Sequence, residues 1–166
     1  PDKEGRIAIL RIHARGKKFG SKIEWARIAE RTVGFSGADL ENMLNDAAIL
    51  AAREDKKEIA MHDVEEAAIK VKLGPAKKKL QTEEDKRLTA YHEGGHALVS
   101  ASLKGSDPVQ KISIISRGMV GGYTMKLPIE EQRLRTKKQF LNDIAMLMGG
   151  YASEELKFGD ISTGAS

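Results

Sequence analysis

Apolar residues recur at helical spacing over several turns of the segment FSGADLENMLNDAAILAARED, residues 35–55. The apolar positions are Leu40, Met43, Leu44, Ala47, Leu50 and Ala51. Ser36 precedes the run with Asp39 three residues later, an arrangement typical of a helix N-terminus closed by a capping box. A helix with one such apolar stripe must bury it against other elements. The segment therefore predicts a packed helical unit.

Three weaker patterns of the same kind surround this helix, near residues 7–14, 25–33 and 64–71. The first follows Pro1 and Asp2, which suit a helix start, and the second stops at Gly34, a common helix end. The repeating apolar residues are Ile7, Leu10, Ile12 and Ala14, then Trp25, Ile28, Ala29, Thr32 and Val33, then Val64, Ala67, Ala68 and Val71. Residues 1–73 are thus predicted to form an all-helical domain.

Gly74 and Pro75 break the helical pattern, and the run Lys77–Lys79 follows. We place a linker at residues 74–81 and a second domain at residues 82–166. There the sequence predicts a helix over about 82–103, strands within 109–118 and 121–128, and a helix from Thr136 that Gly149 and Gly150 interrupt. The expected fold is mainly α: four helices, then an α+β, helix-rich domain with a small sheet.

Composition limits the possible partners and metal sites. The 166 residues contain no cysteine, so any metal must be held by histidine and carboxylate. A net charge of +4 is spread among acidic residues, so the lysine run is interpreted as a solvated linker, and no nucleic acid partner is expected. No apolar run approaches the ~20 residues of a membrane span. The chain starts directly before a helix and stops in a turn-like stretch, so we expect a piece of a larger protein.

The short sequence His92-Glu93-Gly94-Gly95-His96 carries the clearest chemistry. Residues four apart on a helix share a face, so both imidazoles can converge on one zinc ion. The carboxylate of Glu93 projects to the flank of the pair, where it can take a proton from a water activated by the metal. The pattern therefore predicts a hydrolytic zinc site with His92 and His96 as ligands and Glu93 as general base.

Two ordinary histidines on an amphipathic helix would match the same short pattern. Glycine is unfavourable inside a helix, so the Gly94-Gly95 pair indicates that something packs closely there. His13 and His62 stand alone in the sequence. For both, a position on a helix surface or in a satisfied core is the simpler interpretation.

Four segments together are more specific than the zinc motif: GFSGADLENMLNDAAILAARE, TAYHEGGHALV, DPVQKISIISRG and STGAS. With these four segments in this order, the chain resembles the FtsH family of membrane-anchored AAA+ zinc metalloproteases. The resemblance implies that residues 1–73 are an AAA+ helical lid and residues 82–166 the N-terminal part of a zinc peptidase domain. It also implies zinc at His92 and His96 and catalysis by Glu93.

Further roles follow from the resemblance alone. His13 matches a position near the bound nucleotide, and Gly37 and Ala38 match a helix start that lines the adenine pocket. ATP with magnesium would be held mainly by an upstream ATPase core, since no phosphate-binding loop occurs here. The parent would be a membrane-anchored homohexamer that degrades unfolded or membrane proteins, with these domains on the cytoplasmic or organellar side. The strand GGYTMKL would lie beside the active-site helix and pair with substrate, or be a plain sheet strand.

The sequence also departs from the family pattern. Gly94 stands where the family usually has alanine, and Tyr151 where it often has arginine. The family's third zinc ligand is an aspartate expected beyond Ser166, so Glu154 is predicted on a solvated helix face and Asp160 in a turn. A competing hypothesis is a non-catalytic scaffold with an incomplete metal site, although His92, Glu93 and His96 are intact.

Overall fold

The computed structural model describes residues 1–77, 82–118, 120–126 and 134–164. Within them lie six helices and one two-stranded sheet, which confirms the predicted mainly helical class with a small sheet. In chain order the elements are α1 (Lys3–His13), α2 (Trp25–Arg31), α3 (Gly37–Arg53), α4 (Met61–Leu73), α5 (Glu83–Ser102), β1 (Val109–Ser113), β2 (Tyr123–Lys126) and α6 (Lys137–Phe158). They divide into two compact units, Pro1–Pro75 and Ala76–Ser166. No described helix is both long and apolar enough to cross a membrane.

Two helices of the first unit, α1 and α3, begin where the sequence predicts. The backbone N–H of Asp39 donates to Ser36 Oγ at 3.2 Å, and Asp39 Oδ2 accepts from the Ser36 N–H at 2.8 Å, which closes a capping box at the start of α3. Asp2 Oδ1 accepts from the Gly5 N–H at 2.8 Å and caps α1 through this one hydrogen bond. Local hydrogen bonding therefore fixes where these helices start.

The core of the first unit is apolar and continuous. It consists of Leu10, Ile28, Ala29, Phe35, Leu40, Met43, Leu44, Ala47, Ala51, Ile59, Val64 and Ala67, each no more than 7% exposed. Arg6 is the large charged side chain buried beside it, and its guanidinium donates to the carbonyl oxygens of Ala29 and Pro1. These bonds satisfy N–H donors of the buried guanidinium and link α1 to the end of α2.

The sheet of the second unit is a short antiparallel pair beside α5. Ile112 of β1 faces Thr124 of β2, and the register shifts between Val109 and Lys111. Both predicted strands are thus present within the expected ranges, and residues 127 and 128 of the second range lie outside the described residues. The Lys77 N–H donates to the Ser116 carbonyl at 2.8 Å within this unit. The remaining residues of the predicted linker, 78–81, also lie outside the described part.

The predicted interruption of the last helix is wrong. Helix α6 runs from Lys137 to Phe158 without a break at Gly149 and Gly150. A Cβ at Gly149 would lie 2.6 Å from the Gly95 carbonyl oxygen, and a Cβ at Gly95 would lie 2.2 Å from that of Gly149. These glycines let α5 and α6 cross with their backbones in contact, and the crossing outweighs their low helix propensity.

Helix α6 also presents an apolar stripe to solvent. The stripe consists of Phe140, Leu141, Ile144, Leu147 and Met148, each between 53% and 63% exposed. Its opposite side packs against α5 through the glycines. The second unit therefore buries the glycine side of this helix and exposes its apolar side.

Candidate metal centre

Helix α5 brings the two predicted zinc ligands together. It begins at the Thr82 cap, where Thr82 Oγ1 accepts from the Asp85 N–H at 3.0 Å, and continues without a break to Ser102. His92 and His96 stand one turn apart, with their Nε2 atoms 2.9 Å from each other. Their rings are nearly perpendicular, at 88°. Two imidazole nitrogens thus converge on one point beside the helix.

The opposite nitrogen of each ring is bonded to an acceptor on α6. His92 Nδ1 lies 2.6 Å from Glu154 Oε1, and His96 Nδ1 lies 2.8 Å from the Met146 carbonyl oxygen. Because a carbonyl cannot donate, the proton of His96 must be on Nδ1; the Gly150 N–H, at 3.2 Å, is the weaker neighbour of that atom. An ionised Glu154 fixes the proton of His92 on Nδ1 likewise. Both Nε2 atoms are then left with lone pairs.

Two lone pairs that face each other at 2.9 Å repel unless a cation lies between them or beside them. Metal-bound histidines typically donate their outer N–H to a carboxylate or a backbone carbonyl, which is the arrangement of His92 and His96. Neutral imidazole is a preferred zinc ligand. The donor set therefore fits zinc. Within the described part of the chain, no third histidine, aspartate or glutamate completes the site.

Glu154 does not lie on a solvated helix face, so that prediction is wrong. Its side chain is fully buried, at 0% exposure, and it also accepts from the Ser162 N–H at 2.6 Å and the Ser162 hydroxyl at 3.2 Å. Burial alone would raise the pKa of Glu154, but the hydrogen bonds from Ser162 and His92 outweigh it and hold the pKa below its usual value. Glu154 is thus a charged group that orients His92.

The role of Glu154 could have been recognised from its spacing in the sequence, four residues after Gly150. A Cβ at Gly150 would lie 2.5 Å from His92 Cε1, so the ring rests directly on the α6 backbone. Glu154 follows Gly150 by one helical turn and therefore reaches the same ring. A glycine followed four residues later by a carboxylate could have indicated a helix that supports the histidine pair.

Glu93 lies beside the pair and is only 7% exposed. Its Oε2 accepts a hydrogen bond from the Thr124 hydroxyl at 2.7 Å, across from α5 to β2. The same hydroxyl lies 3.0 Å from the Glu93 carbonyl oxygen. Sequence reasoning did not single out Thr124, since a threonine in a short strand carries no pattern of its own.

The predicted nucleotide contacts lie in the first unit. His13 is the last residue of α1, and its Nδ1 is 3.7 Å from Glu41 Oε1 on α3. Gly37 and Ala38 form the first turn of α3, one turn before Glu41. The structure thus brings these three residues to neighbouring helix ends. In the second unit, Asp160 is exposed in a bend after α6, as expected.

Two family models match the chain: peptidase family M41 over residues 79–166, and the AAA+ lid domain over residues 22–66. Among similar proteins, an "ATP-dependent zinc metalloprotease FtsH" of Veillonella parvula is 52% identical over all of this chain and 26% of its own length. A protein of the same name from Bacillus subtilis is 46% identical over 99% of the chain and 26% of its own length. "ATP-dependent zinc metalloprotease FtsH 1" of Sphaerobacter thermophilus is 52% identical, with 26% of it covered.

The chain spans about a quarter of the length of these relatives. The M41 model covers more than half of the chain, including α5, the sheet and α6. The histidine pair and the acceptors on α6 that orient it lie inside that match. The chain therefore belongs to peptidase family M41.

Proposed function

We propose that this chain is part of an ATP-dependent zinc endopeptidase that degrades unfolded and membrane proteins. His92 and His96 hold the zinc ion, and Glu93 is the general base. The observation that carries the proposal is the pair of Nε2 atoms 2.9 Å apart, with both Nδ1 atoms bonded to acceptors on α6. The relatives named as zinc metalloproteases support it over the whole chain.

The residues divide the chemistry between them. Zinc, when bound, supplies Lewis acidity, which makes a water easier to deprotonate and a peptide carbonyl easier to attack. Glu93 takes the proton of the attacking water and returns it to the leaving amine. Glu154 and the Met146 carbonyl hold the ring protons on Nδ1, which leaves the Nε2 atoms to face the metal and fixes the orientation of both rings. A hydrolytic zinc site normally takes three protein ligands, and the resemblance to the family implies that the third is an aspartate.

The remaining assignments concern the first unit and the assembly. His13, Gly37 and Ala38 contact the adenine nucleotide, while an upstream core holds most of the ATP and its magnesium. The 3.7 Å approach of His13 to Glu41, one turn after Gly37 and Ala38, supports a common site. The full-length protein is a membrane-anchored homohexamer with these domains on the cytoplasmic or organellar side. The match to the AAA+ lid domain supports an oligomeric ATPase.

The proposal is tested by Glu93→Gln in the full-length protein. Casein cleavage should fall at least ~100-fold, because a positioned base contributes that much, while zinc content and ATP hydrolysis stay at wild-type levels. Glu84→Gln, on the exposed start of the same helix, is the matched control and should cleave normally. Near wild-type cleavage by Glu93→Gln would contradict the role of the base. A wild-type protein that binds no zinc and cleaves nothing would favour the non-catalytic scaffold.

We also propose the domain limits 1–73 for the lid, 74–81 for the linker and 82–166 for the peptidase part. The division of contacts between Pro75 and Ala76 supports a boundary in this region. Brief trypsin digestion should cut first at Lys77–Lys79. First cuts within α3 or α5, with the lysine run protected, would contradict these limits.

A further inference from the structure

We propose that Thr124 is a positioning residue for the general base: its hydroxyl holds one carboxylate oxygen of Glu93 and thereby fixes the direction of the other. The inference rests on the function proposed above. The shortest contact of Thr124 is the 2.7 Å hydrogen bond from Oγ1 to Glu93 Oε2, a length typical of a hydroxyl that donates to a carboxylate. Thr124 therefore acts through Glu93.

The second contact shows which acceptor receives the hydroxyl proton. Thr124 Oγ1 is 3.0 Å from the Glu93 carbonyl oxygen, farther than from Oε2. That carbonyl lies inside α5 and has a helical partner of its own, whereas Oε2 is a side-chain oxygen of a residue only 7% exposed. The Thr124 hydroxyl has one proton to donate, and the buried carboxylate oxygen loses more than the backbone carbonyl if it has no hydrogen bond. Loss of the hydroxyl would leave Oε2 without this bond.

The backbone of the sheet keeps Thr124 in reach of Glu93. A Cβ at Gly122, two residues earlier, would lie 2.7 Å from Thr89 Cγ2 and 3.0 Å from Glu93 Cγ. The strand thus approaches α5 as closely as a residue without a side chain allows. At the other end of β2, Lys126 Nζ bonds to Asp143 Oδ1 on α6 at 2.9 Å. Contacts with α5 and α6 on either side of Thr124 thus keep its backbone next to Glu93.

This arrangement matters because glutamate has several rotatable bonds. A general base is effective only when its reacting oxygen stays within hydrogen-bond reach of the proton that it removes. A misplacement of about 1 Å can cost up to about 100-fold in rate. A fixed hydroxyl on one oxygen restricts the carboxylate to orientations in which the other oxygen keeps its direction. The expected effect of Thr124 is therefore on kcat, with little effect on substrate or zinc binding.

The test compares Thr124→Val, which keeps the branched shape and removes the hydroxyl, with Thr124→Ser, which keeps the hydroxyl. In the full-length protein, kcat for a fluorogenic peptide should fall roughly tenfold in Thr124→Val, with KM and zinc content within about twofold of wild type. Thr124→Ser should restore kcat to within about threefold. Thr124→Ala provides a second variant without the hydroxyl and is compared with Thr124→Ser should Thr124→Val not fold.

Thr136→Val is the matched control for stability. It removes the hydroxyl that caps α6 by accepting from the Gln139 N–H, and position 136 is far along the helix from Glu154. It should leave kcat unchanged. Equal kcat in the Val, Ser and wild-type proteins would overturn the inference, and so would equal losses in Val and Ser or a loss that follows zinc content. Glu93→Gln distinguishes a failure of the proposed function from a failure of this inference. If Glu93→Gln remains active, the proposed base is wrong. If Glu93→Gln is inactive and Thr124→Val is normal, only the role of Thr124 is overturned.

Discussion

The two units of the chain differ in the balance of apolar and polar side chains that they bury. In the described residues, the first unit buries a large apolar cluster, from Leu10 to Ala67, whereas the buried apolar residues of the second are Ala97 and Tyr123. The second unit instead buries polar or charged residues, namely Glu93, Ser100, Ser116, Arg117 and Glu154, and exposes the apolar stripe of α6. The first unit is thus organised around packing, and the second around a polar site.

The difference shows what each unit depends on. Apolar burial is roughly proportional to area and tolerates substitutions of similar volume. Buried polar groups depend on particular partners, and each partner that is lost leaves an uncompensated group in the interior. We therefore expect the first unit to lose stability in proportion to the volume removed. We expect the second to lose its metal site through changes of one or a few atoms.

The largest effect should come from Gly95→Ala. The new methyl carbon would lie 2.2 Å from the Gly149 carbonyl oxygen, a backbone atom that cannot move alone. The crossing of α5 and α6 must open, so zinc binding and cleavage should be lost, while the first unit unfolds as in wild type. Zinc analysis and thermal unfolding would measure this. Gly94→Ala, whose methyl meets nothing within 4 Å, is the control and should bind zinc normally. Normal zinc binding by Gly95→Ala would contradict the close crossing.

Leu44→Ala should produce the largest loss of stability in the first unit. Leu44 is 0% exposed, and truncation of a buried leucine costs about 2–5 kcal/mol through lost burial and a cavity. Urea unfolding should show this loss, with zinc affinity unchanged. Ile49→Ala, on the same helix but 49% exposed, should cost far less. A parallel loss of zinc affinity in Leu44→Ala would break the distinction between the units.

Glu154→Gln tests the polar site without a change of volume. The amide keeps the shape but removes the charge that holds the His92 proton on Nδ1, so zinc affinity should fall about 10- to 100-fold. Competition with a chelator would measure the change. Glu155→Gln, the exposed neighbour on the same helix, should bind zinc as wild type does. Equal affinities in the two variants would show that Glu154 does not support the ligand.

The smallest effect should come from substitutions in the α3 cap, which should change how the stability of the first unit depends on acidic pH. Hydrogen bonds from Ser36 hold the pKa of Asp39 below its usual value of 3.8. A lowered pKa in the folded state adds stability above the unfolded pKa, and this stability is lost as the pH falls through the folded pKa. Asp39→Asn should therefore reduce the loss of stability as the pH falls below the usual pKa of an aspartate, as measured by urea unfolding. Ser36→Ala should reduce it as well, since the cap is reciprocal. An unchanged pH dependence in both variants would contradict this role of the cap.

The sequence predicted what local patterns control. The starts of α1 and α3 follow from Asp2 and Ser36, because a cap involves residues within one turn. The convergence of His92 and His96 follows from their spacing on one helix. The break at Gly149 and Gly150 was predicted from propensity, but the crossing with Gly95 is a tertiary contact that no local rule includes. The hydrogen bond of Thr124 to Glu93 joins residues far apart in sequence, so it could not be predicted either.

The contact between Gly95 and Gly149 also limits how a damaged protein could recover. A large residue in a core can often be compensated by a smaller one opposite, but no residue is smaller than glycine. A methyl group added at Gly95 meets the main chain at position 149, which every amino acid carries. In a genetic selection that starts from Gly95→Ala, restored strains should therefore regain glycine at position 95, and second-site suppressors at position 149 should not arise.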